Sequence, residues 1–282
     1  RFPGRTCGNP ARARWVRPPR PRRRSGAAGG LGKLARAHLG GLAKTLRLSD
    51  VQPMEPAGPN EEVVQCDLAD FAAVRPLVEG ADGILHLGGV SVEDTFANIV
   101  HGNLVGLYNV YEAARQTGAK RIFFASSNHA IGFHSRETRL DATSPLRPDS
   151  LYGVSKCYGE AVARLYYDKF GIETAIVRIG SCFPKPIDHR MLATWLSPDD
   201  FIRLIERIFT VPRLGCPIIY GVSNNEEQWW DNRDAAFIGW RPQDSSEPYR
   251  AELDATQTPP PSDDPAVKHQ GGGFAAAGHF ED

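Results

Sequence analysis

The sequence predicts an α/β fold built on a doubly wound parallel sheet, and three observations carry that expectation. Segments with strand and helix patterning alternate from residue 25 to residue 180. A glycine-rich turn opens the first helical segment. The run Gly83-Ile84-Leu85-His86-Leu87 is apolar without alternation, as in strands covered on both faces of a parallel sheet. Right-handed crossovers then place helices on both sides, the Rossmann-like arrangement.

Taken in order, Ser25-Gly26-Ala27-Ala28-Gly29-Gly30-Leu31-Gly32 is the turn, and residues 33–39 continue it as a helix. Residues 45–49 form a short strand ending on Asp50, a Pro/Gly-rich loop runs to Asn60, and residues 62–66 form the next strand. Asp67 follows it, ahead of a helix over 71–78. Beyond the apolar run, the spacing predicts one long helix over 97–117, a strand over 121–125, a helix over 151–170 and a strand over 174–179. After Ser181 the alternation stops. A helix over 199–209, an apolar run over 217–220 and Trp229-Trp230 make a small carboxy-terminal portion. The tail, with Pro259-Pro260-Pro261 and Gly271-Gly272-Gly273, reads as extended or loosely ordered.

The start of the chain breaks the pattern. Residues 1–24 carry nine arginines and no acid, so with a formal net charge of zero the remainder is net negative by nine. Arg17-Pro18-Pro19-Arg20-Pro21-Arg22-Arg23-Arg24 cannot make a buried strand, because proline lacks an amide donor and unpaired guanidinium groups resist desolvation. The segment reads as a solvated tail or a misread start rather than a basic arm for an acidic partner. The first strand of the sheet is therefore expected to be missing or corrupted.

An acidic body argues against nucleic-acid binding, and no run of about eighteen apolar residues suggests a membrane span. Cys7, Cys66, Cys157, Cys182 and Cys216 show no metal-ligand spacing and no disulfide framework. A cytoplasmic protein without a metal is the expectation, since no secretory signal is visible either.

The glycine turn, Gly26-x-x-Gly29-x-x-Gly32, sets backbone amides and a helix amino terminus where a pyrophosphate can sit. Alone it is a weak signal. It gains weight from Asp50, eighteen residues beyond Gly32 at a strand end, where a carboxylate accepts both ribose hydroxyls of NAD and repels the extra phosphate of NADP. A surface-loop role for Asp50 is an even alternative on that evidence. Asp67 either faces the adenine edge or caps the helix near Phe71.

The strongest signal is Tyr152-Gly153-Val154-Ser155-Lys156, opening a helix, with Ser126-Ser127 closing a strand upstream. Tyr and Lys at i and i+4 share a helix face. The ammonium group lowers the phenol pKa, reference value about 10, and can also hold a ribose, while a serine hydroxyl orients the reacting oxygen. A Tyr/Lys pair on a helix surface is common, but the order of glycine turn, acid, Ser-Ser and Tyr-x-x-x-Lys is not.

At these motifs the chain resembles the extended short-chain dehydrogenases, the epimerase/dehydratase superfamily. Whole segments are similar to uronate dehydrogenases: Leu87-Gly88-Gly89-Val90-Ser91-Val92-Glu93, Ala125 through Gly132, Leu151 through Cys157, Arg178 through Cys182, Arg190-Met191-Leu192 and Trp229-Trp230-Asp231-Asn232. The similarity runs from about residue 25 to the end. It implies that Tyr152 is the proton acceptor, with Lys156 assisting it and binding NAD. It implies that Ser91, Ser127, Asn128, His129, Ser181 and Arg190 surround a uronic acid. Gly30, Leu31, Asp50, Asp67, Leu68, Leu87 and Cys182 would line the cofactor, beside Gly26, Gly29 and Gly32 of the turn. The family often has glutamine at the place of Gly30, so a side-chain contact is lost here.

Each residue also has a plainer reading. Arg190 could be a surface arginine, but a carboxylate substrate needs a fork-shaped cation. His129 follows a strand end at the ligand rim, which favours substrate contact over a structural role. Cys182 reads as a packed residue whose backbone touches the cofactor, Trp229 and Trp230 as core or subunit contacts, and His86 as core.

The implied reaction is oxidation of a hexuronic acid at its anomeric carbon to an aldaric acid lactone, by a homo-oligomer. Residues 25–180 would be the NAD-binding unit and 181–282 the substrate-binding portion and tail. Two alternatives stand: a nucleotide-sugar epimerase or dehydratase, and a catalytically inactive dinucleotide-binding regulator. About a hundred residues follow Ser181 and show no base- or diphosphate-binding cluster, which counts against the first. Retention of Tyr152, Lys156 and Ser127 counts against the second.

Overall fold

The structure, a computed structural model, describes residues 24–258 and 260–280. The elements run β1 (Arg24–Ser25), α1 (Gly30–His38), β2 (Leu46–Asp50), β3 (Glu61–Gln65), α2 (Phe71–Val78), β4 (Ile84–His86), β5 (Gly89–Val90), α3 (Phe96–Ile99), α4 (Gly106–Thr117), β6 (Arg121–Ser127) and α5 (Leu151–Phe170). They continue with β7 (Glu173–Ile179), β8 (Ser181–Cys182), α6 (Met191–Thr194), β9 (Trp195–Leu196), α7 (Pro198–Thr210), β10 (Ile218–Gly221), α8 (Arg250–Thr256), α9 (Pro265–Lys268) and α10 (Gly273–Ala276).

Strands β4, β6, β7 and β10 form a parallel sheet in the order β10-β7-β6-β4, and β2 pairs with β3 in parallel. Alternate residues of the central strands feed opposite core layers. Phe123, Ala175 and Val177 pack with α1 and α7, whereas Ile122, Phe124 and Ile176 pack with α2, α4 and α5. The fold is the doubly wound, Rossmann-like α/β expected from the sequence. No described helix is long and apolar enough to cross a membrane.

The expected defect in the first strand falls largely on residues before Arg24, outside those described. Among the described residues, no strand joins the β2-β3 pair to β4. Arg24–Ser25 instead makes a two-residue antiparallel pairing with Gly89–Val90 and leads straight into the glycine turn.

Two expectations need correction. The single helix over 97–117 is interrupted: between α3 and α4 the chain makes a π-helical turn, Val100–Val105. The wider turn coincides with a strong local demand. Asn103 accepts from Val90 N (2.7 Å) and donates to Val90 O and to Ser155 Oγ (2.9 Å each), so it clamps the β5 loop to α5. The glycine run of the tail, expected to be extended or loosely ordered, is built into the body, whereas residues 260–263 are exposed and irregular. Gln270 is fully buried: its amide nitrogen donates to Ser135 O and Thr138 O, its oxygen accepts from Trp230 Nε1, and its backbone N–H donates to His134 O. Glutamine supplies enough donors and acceptors to satisfy a buried loop, which composition alone does not reveal.

Trp230 and His86 are core residues, as expected, with Trp230 stacked on Tyr220 at 5.3 Å. Asp67 does not cap α2. Asp70 does, accepting from Ala72 N and Ala73 N, while Asp67 accepts from Ala69 N and pairs with His101 (2.8 Å).

One buried network fixes the sheet to the helix that carries the Tyr/Lys motif. Glu160 on α5 accepts two bonds from Arg178 on β7 (2.9 and 2.8 Å) and one from Ser126 Oγ on β6 (2.7 Å). Arg178 also donates to Tyr220 Oη (3.0 Å). Burial opposes the guanidinium charge, but the Glu160 carboxylate holds Arg178 above its usual pKa. Removing one partner leaves an uncompensated buried charge, so Arg178→Met is expected to cost about 3–5 kcal/mol. Urea unfolding should show a far smaller loss in the double variant Arg178→Met, Glu160→Leu. Equal losses in the two would mean the pair contributes packing alone.

Candidate active site

Helix α5 starts where Ser150 caps it, its Oγ accepting from Gly153 N (2.9 Å), and where the Glu93 carboxylate accepts from Leu151 N and Tyr152 N (2.9 and 2.8 Å). These contacts satisfy free amide donors of the first turn and tie the loop carrying Ser91 to Tyr152. Gly153 and Gly159 let the helix lie close: a Cβ at either would run into His129 O or the Phe124 ring.

Tyr152 and Lys156 are both buried, with Lys156 Nζ 5.3 Å from the Tyr152 ring centroid and donating to Ala125 O at 2.8 Å. Burial pushes the Lys156 ammonium down to about 8. Burial pushes the Tyr152 phenol up to about 12, against the pull of the Ser127 hydroxyl and with the Asp149 charge adding to it. Burial thus dominates the phenol's shift, with Lys156 Nζ near its ring. The backbone carbonyl of Ala125 also holds the ammonium in place.

Ser127 ends β6, opposite Ile179 of β7, and its Oγ accepts from His129 N (3.2 Å). His129 lies edge-on to Tyr152, with ring centroids 5.8 Å apart. The structure therefore brings Ser127, His129, Tyr152 and Lys156 into one cluster. A second group adjoins it. Arg190 donates through Nε to Gln270 O (2.7 Å) and through Nη1 to Ser181 Oγ (3.3 Å) and Thr194 Oγ1 (3.5 Å). In the amide orientation that satisfies both neighbours, Asn128 donates to Ile179 O (3.0 Å) and accepts from Arg190 Nη2 (2.5 Å). No carboxylate is among these partners. Desolvation, opposed by the charges of Asp188 and Asp149, pushes the Arg190 guanidinium down to about 10.

The glycine turn lies at the other end of the site. Helix α1 begins without a side-chain cap and with no acid in its first turn, which leaves amide donors at the positive end of its dipole for a ligand. Gly26 and Gly32 are obligatory in this packing: a Cβ at Gly26 would strike the Asp50 carboxylate, and one at Gly32 the backbone of Gly26 and Ala27. Asp50 is buried, its two oxygens accepting from Ala28 N (3.0 Å) and Gln52 N (2.9 Å), each with lone-pair capacity remaining. A cavity of about 1490 Å³ is lined by Gly26, Gly32, Asp50, Asp67, Leu68 and Leu87, and it continues between β2 and β4. An uncapped helix end, close-packed glycines and a buried carboxylate at the cavity wall fit a dinucleotide. Gly29 caps α1, Gly30 opens it and Leu31 packs on the core, while Cys182 sits in β8 with its thiol pushed up to about 12 by burial. A Cβ at Gly30 would meet nothing within 4 Å, so a side chain there has room.

Residues 25–197 match the sequence profile of the NAD dependent epimerase/dehydratase family. The chain belongs to that family. Among similar members, a uronate dehydrogenase of Pseudomonas putida is 58% identical over 257 residues, 91% of this chain and 96% of that protein. A glucuronic acid dehydrogenase from Chromohalobacter salexigens, of known structure, is 58% identical with a TM-score of 0.90, covering 92% of this chain and 97% of that one. A variant of the Agrobacterium tumefaciens uronate dehydrogenase, solved in complex with NAD, is 55% identical with a TM-score of 0.89, covering 90% and 96%.

Several residues at this epimerase/dehydratase site escaped the sequence reading. Phe274 stacks on His129 at 3.8 Å and stands 6.2 Å from Tyr152. Gln270 holds Arg190 through its carbonyl, and Glu93 and Asn103 anchor Tyr152's helix. The run Gly271-Gly272-Gly273 was the available signal. Gly272 has φ +63 and a Cβ there would press on the Arg190 side chain, so the glycines mark a close approach rather than looseness.

Proposed function

We propose that the protein oxidises a hexuronic acid such as glucuronate or galacturonate at its anomeric carbon, with NAD as oxidant, giving an aldaric acid lactone. The observation that carries this reading is Arg190, a desolvated guanidinium whose hydrogen-bond partners are all neutral, beside the Tyr152 cluster. A sugar carboxylate is the partner such a fork lacks. The named relatives support the same substrate class.

Tyr152 takes the proton of the anomeric hydroxyl as phenolate, and Ser127 donates a hydrogen bond to that oxygen as carbonyl character develops. Arg190, with Asn128 and Ser181, binds the carboxylate and so sets which ring carbon faces Tyr152. Ser91 and His129 complete the sugar contacts. Amides of the Gly26–Gly32 turn and the α1 amino terminus hold the pyrophosphate, Asp50 the adenosine ribose, Asp67 and Leu68 the adenine side, and Lys156 the nicotinamide ribose, with Leu87 and Cys182 alongside. When bound, NAD supplies the hydride acceptor. Residues 25–180 serve the cofactor and 181–282 close the substrate side. Val105 and Tyr108, with Val154 and Leu165 on α5, are exposed apolar side chains that would serve self-association, and free thiols at the four described cysteines suit the cytoplasm.

The test is the appearance of NADH absorbance when purified protein meets NAD and each hexuronate. NAD should be preferred over NADP, and Asp50→Ala should reduce that preference by about tenfold or more, since the carboxylate that repels a ribose phosphate is gone. Equal efficiency with both cofactors in the parent protein would remove Asp50 from the ribose site.

A further inference from the structure

Asp149 is a buried carboxylate beside His129, and the reaction proposed above gives it no part. Its side chain has no solvent exposure, and its Oδ2 lies 2.9 Å from His129 Nδ1. The other oxygen accepts from Ser150 Oγ (2.9 Å), the residue that caps α5. Two glycines make room for it: a Cβ at Gly132 or at Gly271 would collide with Oδ2, and Gly271 N donates to Gly132 O at 2.8 Å across the same spot. The carboxylate is thus seated in a backbone cradle that the tail closes, and it cannot swing away from the imidazole.

A carboxylate oxygen accepts, so Nδ1 of His129 carries the proton of the pair. In the neutral ring Nε2 is then a bare acceptor. Among the described residues Nε2 has no hydrogen-bond partner, and Phe274 stacked on the ring face at 3.8 Å resists a ring flip. We propose that Asp149 is a positioning residue that fixes the His129 tautomer, so that Nε2 accepts a hydrogen bond from a ring hydroxyl of the sugar acid. The proposal rests on the reading of His129 as a substrate contact. It makes the site select a hydroxyl at that position: a deoxy sugar would leave Nε2 unpaired, and an ether there would offer no donor.

The experiment uses the full chain labelled with 15N-histidine, with the His129 signal assigned by its loss in His129→Asn. Two-bond 1H–15N spectra of the neutral ring are expected to show Nδ1–H in the parent and Nε2–H in Asp149→Ala. In the same variant KM for the hexuronate should rise about tenfold, the loss of one neutral hydrogen bond, with NAD affinity within about twofold. Asp149→Asn, which keeps the size and an acceptor oxygen, should restore both Nδ1–H and KM, and it serves if the alanine variant fails to fold. KM that rises while the tautomer stays, or a tautomer that changes while KM stays, overturns the proposal. An Nε2–H signal in the parent overturns the Asp149 assignment alone. A parent with the Nδ1–H signal but no oxidation of any hexuronate overturns the proposed reaction and the hydroxyl contact with it.

Discussion

Tyr152→Phe is expected to lower turnover of hexuronates by a hundredfold or more, on the order of what one general base contributes, while NAD still binds. The phenol is buried, and its ring packs with Val90 and Ile99 and meets His129 edge-on. Phenylalanine keeps that packing and removes only the hydroxyl, so lost activity would report chemistry and not misfolding. The pH profile carries the same information with a definite sign. The working form is the phenolate, and burial pushes the phenol up to about 12, so the parent's rate should climb with pH on the alkaline side. That climb should vanish in Tyr152→Phe. A variant retaining more than about a hundredth of the parent rate would remove Tyr152 from the base role.

Arg190→Ala should lower kcat/KM for glucuronate by about thirty- to several-thousandfold, the equivalent of roughly 2–5 kcal/mol for a desolvated charge pair that loses its cation. Neutral aldohexoses isolate the cause. They carry no carboxylate, so their slow turnover should change little in the variant, and the preference for acid over neutral sugar should collapse. NAD affinity should hold, because the guanidinium of Arg190 bonds to Ser181, Thr194, Asn128 and Gln270 and to none of the glycine-turn residues or Asp50 among the described residues. Near-normal kinetics on glucuronate would exclude Arg190 from the site. An equal loss for acid and neutral sugars would assign it to bracing the tail through Gln270 instead.

The parts legible in the sequence were those written in local spacing. The Tyr152/Lys156 pair announced α5, the unalternating run at 83–87 announced β4, and Asp50 stood at a strand end beside a glycine turn. Side chains that act across the fold left no such mark. Asp149 meets His129 and Gly271, Glu93 meets the amides of Leu151 and Tyr152, and Asn103 reaches Val90 and Ser155. Each pairing depends on how loops close over the carboxyl ends of the strands, which hydrophobic periodicity does not encode. The glycine run of the tail was misread for a related reason. Glycine and proline lower the propensity for regular structure, but at Gly271 and Gly272 the missing Cβ is what lets backbone touch Asp149 and Arg190. The π-helical turn was hidden because its sequence, with Gly102 and Gly106 around Asn103, keeps an ordinary helical pattern. For Tyr152, the proximity of Lys156 was legible, whereas the burial that raises the phenol was not.

The central claim is that hydrogen leaves the anomeric carbon of a hexuronic acid and arrives on NAD. Glucuronate carrying deuterium at that carbon, incubated with NAD and the purified protein, tests it directly. Mass spectrometry should find the deuterium in the reduced cofactor and none in the lactone. Deuterium retained in the sugar product, or a cofactor that stays oxidised while the sugar is converted, would contradict the account.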